Sequence, residues 1–297
     1  MWAEIKNNNS MESEKKKFDL NEEAVIIDVE DEVIDKVLTG KITHIVVDIN
    51  EDNYRQILEN EDGNIAVVME EFPDAIYGIN YYNGGEFPYV INSDLDFLML
   101  RGSKDVCLTQ IIDVKAEPGP RFKYQGPGKP CKKDKNGDCC IWEVVLEVVP
   151  ILENSRKYLM RWNPAISSFT EKDYEECMEN LVHGMFRLKW SIYEWQEARR
   201  GDMFFMMRTG DDKAGIVFHG YFLSDPYPAD DWAGSTKRRM YVDMICMHPS
   251  ERGDEPQLSL EELQQVVPSF DWSEGHSGVL LSDEVMAQMA QFWQDVE

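Results

Sequence analysis

The sequence predicts an α+β protein of two domains, each a curled, mainly antiparallel β-sheet or small barrel with short peripheral helices. Three observations lead there. A chain of 297 residues is long enough to bury two cores of ordinary size. Short apolar or alternating runs, separated by Gly, Asn and Asp turns, recur through both halves. Amphipathic segments with helix caps are few and short. A hydrophobic content of 43% with 11% aromatics describes a folded chain and not a disordered one.

In the first half, residues 1–17 are polar and read as a flexible tail, and a strand-rich domain spans 18–150. Ala24 to Ile27 is its first strand. Residues 31–38 form a short helix that buries Val33, Ile34, Val37 and Leu38, with Gly40 at the position of a C-terminal cap. A strand at 45–49 and a helical turn or two at 52–58 follow. Strands are then expected at 65–69, 75–82, 97–101, 106–113 and 141–149, broken at 83–85, 101–103 and 117–138. The loop 126–137, rich in Gly, Pro and Lys, has no Ser or Thr after a Gly-Lys pair. It therefore reads as an exposed hairpin loop and not as a nucleotide loop.

The junction falls at 150–156, where Pro150 closes a strand. The second domain, 157–297, opens with a strand ending in Trp162-Asn163-Pro164. A helix over 168–181 is capped by Thr170 with Asp173 and buries Tyr174, Cys177, Met178 and Leu181. A strand at 186–195 passes into a turn. The apolar run 203–208 is a strand buried on both faces, and Thr209-Gly210-Asp211-Asp212 is the turn after it. Residues 215–223 return as an alternating strand, with Ile216, Phe218, Gly220 and Phe222 on one face. A strand at 240–247 follows, then a helix from Ser259 with Glu262 in a capping box. Ser282 caps a last helix that buries Val285, Met289, Phe292, Trp293 and Val296.

On pattern alone, 201–232 is a core hairpin. Its wording is more particular. Gly201-Asp202 entering a buried strand, a tight turn, Gly215-Ile216-Val217 and an aromatic-rich loop resemble the centre of the EVE-type domains. The strand ending in Trp162-Asn163-Pro164 and the closing Trp272, Gly275-His276-Ser277-Gly278 and helix extend the resemblance over 157–297. EVE domains belong to the PUA-like superfamily, small β-barrels that commonly bind nucleic acid or modified bases. Residues 18–150, with Gly40-Lys41-Ile42-Thr43 after the first helix, are similar to an ASCH domain, another PUA-like relative. His44 and Ile45 stand where that family has charged residues.

The formal charge is −26, and it is spread evenly: 16 basic against 30 acidic residues up to Pro150, and 14 against 26 beyond it. Such a field repels phosphate backbones and argues against sequence-independent coating of DNA. No apolar run is long enough for a membrane span, and no signal-peptide core is present. Cys107, Cys131, Cys139, Cys140, Cys177 and Cys246 contain no C-x-x-C pair, so reduced thiols in a cytoplasm are expected. No cofactor or metal ligand set is legible. The carboxylate pairs Asp211-Asp212 and Asp230-Asp231 read as solvated turn residues. His276-Ser277 lacks the strand and helix flanks of a nucleophile turn, so a non-enzymatic role is expected.

The second half is rich in tryptophan at strand ends and loops, where a small barrel opens. Trp162, Trp190, Trp232 and Trp272 are expected to converge on one pocket, with Asn163, Ser191, Asp225 and Ser277 as polar readers. A flat base needs faces to stack on and polar groups at its edge, and the EVE resemblance implies a modified one. Arg161, Arg199, Arg200, Lys237, Arg238 and Arg239 are the candidate nucleic-acid rim. The expected partner is thus nucleic acid or a nucleotide carrying a modified base. An acidic interaction or immunity-type protein that binds a basic protein partner is the alternative.

Overall fold

The computed structural model describes residues 24–48, 57–59, 90–91, 95–118, 142–179, 181, 185–232, 234–247 and 256–296. The tail, the strands expected at 65–69 and 75–82, the loop 126–137 and Cys131, Cys139 and Cys140 lie outside them. The chain divides into two compact units, Met1–Glu153 and Asn154–Glu297. The fold is α+β, mostly strands, with curled sheets and short helices.

In the first unit, β1 (Ala24–Asp28), α1 (Asp31–Leu38), β2 (His44–Asp48), β3 (Leu58–Glu59), β4 (Val90–Ile91), β5 (Phe97–Arg101), β6 (Val106–Pro118) and β7 (Trp142–Pro150) follow in order. Five of these strands make one sheet in the order β1-β5-β6-β7-β2, and β3 pairs with β4 separately. Only β1 and β5 run parallel in that sheet. Ile34 and Val37 of α1 pack on Leu98, Leu100, Val144, Leu146 and Val148 of the sheet. Gly40, at φ +69°, ends α1: its N–H bonds to the Val37 carbonyl and the Lys41 N–H to that of Lys36. That is the paired bonding of a left-handed cap, which glycine adopts without a Cβ clash.

Two expectations need correction here. Leu58 begins a strand and does not end a helix. Strand β6 continues to Pro118, well past Asp113, because β7 pairs with it from Thr109 to that end. A register shift between Ile111 and Asp113 makes Ile112 the extra residue of a bulge. Ile111 and Ile112 are both buried, and of the two Ile111 joins the cluster under α1.

The second unit carries β8 (Lys157–Trp162), α2 (Glu171–Glu179), β9 (Met185–Ser191), β10 (Met203–Arg208), β11 (Gly215–Phe222), β12 (Tyr227–Asp230), β13 (Arg238–Met247), β14 (Leu258–Ser259), α3 (Leu260–Val266), β15 (Val279–Leu280) and α4 (Asp283–Val296). Its eight-stranded sheet runs β12-β13-β11-β10-β8-β15, with β14 on β11 and β9 on β13. Only β8 and β10 are parallel.

Both faces of this sheet are covered, which explains the apolar run of β10. Tyr158, Met160, Trp162, Phe204, Met206, Phe218 and Phe222 join Tyr174 of α2 in one cluster. Leu159, Phe205, Met207 and Ile216 join Leu263 of α3 and Met289 of α4 in the other. Strands β8 and β10 alternate strictly between the clusters. Strand β11 does not. Its register slips opposite Met206 and Met207, leaving Val217 as the extra residue, so Ile216 turns away from the face of Phe218. The expected common face of Ile216 and Phe218 is thus wrong.

Helix starts follow their caps. Thr170 Oγ1 accepts the Asp173 N–H, and the Asp173 carboxylate accepts the Thr170 N–H, so α2 begins at Glu171 and not at 168. Ser259 and Glu262 form the reciprocal capping box of α3. Ser282 Oγ accepts the Val285 N–H at the start of α4. The side chains of Phe292, Trp293 and Val296 lie outside the described ones.

Of the four turn carboxylates, Asp211, Asp212 and Asp230 are exposed, as expected, and Asp231 is buried. Asp211 and Glu171 both bind the buried guanidinium of Arg208, which lies over the Trp162 ring. Their hydrogen bonds outweigh desolvation and hold the Arg208 pKa above its ordinary value. Asp231 is buried and paired with Arg239 at 2.7 Å, whereas Asp230 is exposed.

Candidate ligand-binding site

The second unit contains an open cavity of about 630 Å³. Five stretches of chain wall it: the loop after β8, the end of β9, the turn after β10, the 230–241 region and the loop before β15. The cavity is built around one hydroxyl. Ser277 Oγ accepts the Arg161 backbone N–H at 2.9 Å and the Trp190 indole N–H at 2.9 Å. A serine hydroxyl has two acceptor positions and one hydrogen. With both acceptors occupied, the O–H is left as a donor at the edge of the Trp190 ring.

Trp190 is fixed at both ends. Its Nε1–H is held by Ser277, and Phe169 packs edge-on against it at 6.3 Å between centroids. It lies on the core side of β9, opposite Val242 of β13. Ser191, the next residue, faces the other way and pairs in register with Tyr241. Tyr241 Oη donates to the Asp230 carbonyl and accepts the Trp232 N–H, so one tyrosine sets the loop that presents Trp232. Trp232 is 45% exposed, with the Arg239 guanidinium 5.8 Å from its ring centroid. At the rim, His276 stacks on Tyr193 with centroids 4.0 Å apart.

Arg161 braces the loop before β15. Its guanidinium donates to the carbonyls of His276 and Asp271 at 3.2 and 2.8 Å. Burial lowers its pKa, but an arginine remains charged at neutral pH. Gly275, at φ +121°, lies against this guanidinium, where a Cβ would stand 3.4 Å from Nη1. Asn163 turns the loop after β8 by accepting the Ala165 N–H through Oδ1. Gly210 fits beside it, with φ +93° and room for no side chain, since a Cβ would lie 2.4 Å from Asn163 Nδ2.

The cavity differs in charge from the rest of the chain. Arg161, Lys189 and Arg239 face Asp230 and Glu274, a formal +1 in a protein of −26. Among the described residues, no group of His, Cys, Asp or Glu is arranged to hold a metal ion, and no helix is long and apolar enough to cross a membrane.

No family model matches the sequence, and no curated protein matches it. A search of solved structures finds the crystal structure of Mmi1 YTH domain complex with RNA. That alignment covers 48% of this chain and 84% of the other, with 12% identity and a TM-score of 0.28. A likeness of that strength carries no functional argument.

Of the residues singled out from the sequence, the structure brings Asn163, Trp190, Ser191, Trp232 and Ser277 to the cavity, with Arg161 and Arg239. Trp162 and Trp272 do not line it. Both are buried, and each ties a wall from behind: Trp162 Nε1–H donates to the Phe169 carbonyl and Trp272 Nε1–H to that of Val267. Asp225 is also elsewhere, its carboxylate capping the Arg200 N–H.

The basic rim is correspondingly smaller than expected. Arg200 is buried, and Arg199 turns to Asp202 and the Asn154 carbonyl. Strand β13 starts at Arg238, so alternation sends Arg238 and Arg239 to opposite faces. Arg239 lines the cavity, while Arg238 donates to the Pro228 carbonyl and Lys237 stays outside. Sequence reading missed Lys189 and Tyr241. Lys189 shares the face of Ser191 by its i, i+2 spacing, but nothing local announces that β9 pairs with β13.

Proposed function

We propose that residues 157–297 form a binding module that takes up a planar nitrogenous base, as a nucleobase or nucleotide, and performs no chemistry on it. One observation carries the reading. The Trp190 indole is fixed at its edge by Ser277, whose hydroxyl accepts two hydrogen bonds and keeps its own O–H as a donor beside the ring. An aromatic face with a polar group at its margin suits a base, which offers a π-face and a hydrogen-bonding edge together. Trp232 on the same cavity supplies a second ring, and a volume near 630 Å³ suits a ligand of that size.

The acidity of the rest of the chain acts as a filter. A net −26 disfavours non-specific uptake of duplex DNA, while a cavity of local charge +1 does not repel a single nucleotide. In finer terms, the proposal makes 157–297 an EVE-like, PUA-type domain whose ligand base is modified, and 18–150 an ASCH-like companion.

The test is equilibrium binding of ribonucleosides, unmodified and methylated, followed by calorimetry. At least one is expected to bind with one site per chain. No binding across the set contradicts the proposal.

A further inference from the structure

We propose that Lys189 is an anion site of this cavity, so that the ligand class is a phosphorylated nucleoside rather than a bare base or nucleoside. This rests on the base-binding reading above and extends it. Three cations line the cavity, and two are committed elsewhere. Arg239 is paired with Asp231 at 2.7 Å, and Arg161 turns both of its terminal nitrogens to backbone carbonyls. Lys189 is exposed and has no carboxylate partner among the described residues.

Two aromatic rings hold its ammonium in place. The ammonium lies 5.1 Å from the centroid of the Tyr227 ring and 4.9 Å from that of Tyr241. Aromatic faces attract and position a cation without cancelling its charge, as a carboxylate would. The carboxylate best placed to pair is Asp243, the cross-strand partner of Lys189, on the same face of the sheet. Asp243 accepts the Tyr227 hydroxyl at 2.7 Å and, although still anionic, makes no ion pair with Lys189. Burial, with the Asp243 bond second, pushes that hydroxyl up to about 12, so it stays neutral beside the lysine.

Both rings are themselves anchored, Tyr227 by Asp243 and Tyr241 by the Asp230 carbonyl and the Trp232 N–H. In a chain with 56 acidic residues, an unpaired lysine held between two fixed rings on a cavity wall is a specific arrangement. A compact ammonium with rotatable donors is a suitable partner for phosphate. The phosphate has two sources, a free nucleotide or the backbone of a single strand, and Lys189 recognises what they share.

The experiment measures binding of ribonucleosides, unmodified and methylated, their monophosphates and the corresponding trinucleotides without a terminal phosphate to the wild-type chain, Lys189→Met and Lys189→Arg. At low salt the monophosphate is expected to bind roughly tenfold tighter than its nucleoside. That advantage is expected to vanish in Lys189→Met, to persist in Lys189→Arg, and to shrink as salt rises. A gain confined to the trinucleotide and lost in Lys189→Met also supports the site and assigns its phosphate to a polynucleotide. Equal affinity for nucleosides, monophosphates and trinucleotides overturns the anion site and leaves the base pocket standing, as does an advantage that survives Lys189→Met. Binding of none of the probes overturns both.

Discussion

Trp190→Ala is expected to weaken nucleoside binding by about 1–3 kcal/mol, roughly five- to 150-fold, the usual range for loss of one base-stacking ring. The ring is held in place by the protein itself. Its indole N–H is bound to Ser277 and its flank to Phe169, so a base stacks on it without first ordering it. Trp190 also packs against the buried cluster that contains Trp162, so the alanine variant loses stability as well. Ser277→Ala is the companion variant. It keeps the ring but removes the bond at its edge, the donor beside it and the acceptor of the Arg161 N–H, so it costs some stability too. Its loss of affinity should be smaller than that of Trp190→Ala. Calorimetric titration of both variants, with urea unfolding alongside, makes the comparison. Unchanged affinity in Trp190→Ala would count against the stacking role.

The second large effect concerns the sheet that carries the cavity. Gly220→Ala is expected to cost about 3 kcal/mol, the upper end of ordinary overpacking. Gly220 lies in β11 opposite Cys246 of β13, and a Cβ there would stand 1.9 Å from the Ile245 carbonyl oxygen. The obstacle is backbone in the middle of a sheet, and it cannot swing aside as a side-chain tip does. Relief would need β11 and β13 to part, and β13 also holds β9 and β12, hence Trp190, Tyr241 and Lys189. Urea unfolding of the variant reads the loss. A change below about 0.5 kcal/mol, the size of a neutral surface substitution, would show that the strands are looser than this packing implies.

What was legible in the sequence was mostly local. The β10–β11 hairpin, the caps at Thr170, Ser259 and Ser282 and the left-handed Gly40 each depend on residues within a few positions of one another. The faces of β8 and β10 follow from alternation for the same reason. Alternation failed at Val217, because a bulge is set by the register of the partner strand. The tryptophans divide along similar lines. Nothing near Trp162 or Trp272 states which neighbouring loop will fold over it, and both became buried supports. Lys189 was invisible as a site residue because its two tyrosines come from β12 and β13, about 40 and 50 positions further on. The basic cluster 237–239 looked like one patch only because it was read as a loop. As the start of a strand it splits between two faces.

The central claim is that a base enters this cavity and stacks on Trp190. The amide and indole N–H correlation spectrum, titrated with ribonucleoside monophosphates, unmodified and methylated, tests it most directly. The Trp190 and Trp232 indole signals and the amides of Ser191 and Ser277 should shift together and saturate at one ligand per chain. The Trp162 and Trp272 indole signals, buried behind the walls with their N–H groups bound to backbone carbonyls, should move far less. A spectrum that does not change, or whose shifts leave Trp190, Trp232 and Ser277 in place, would contradict the account.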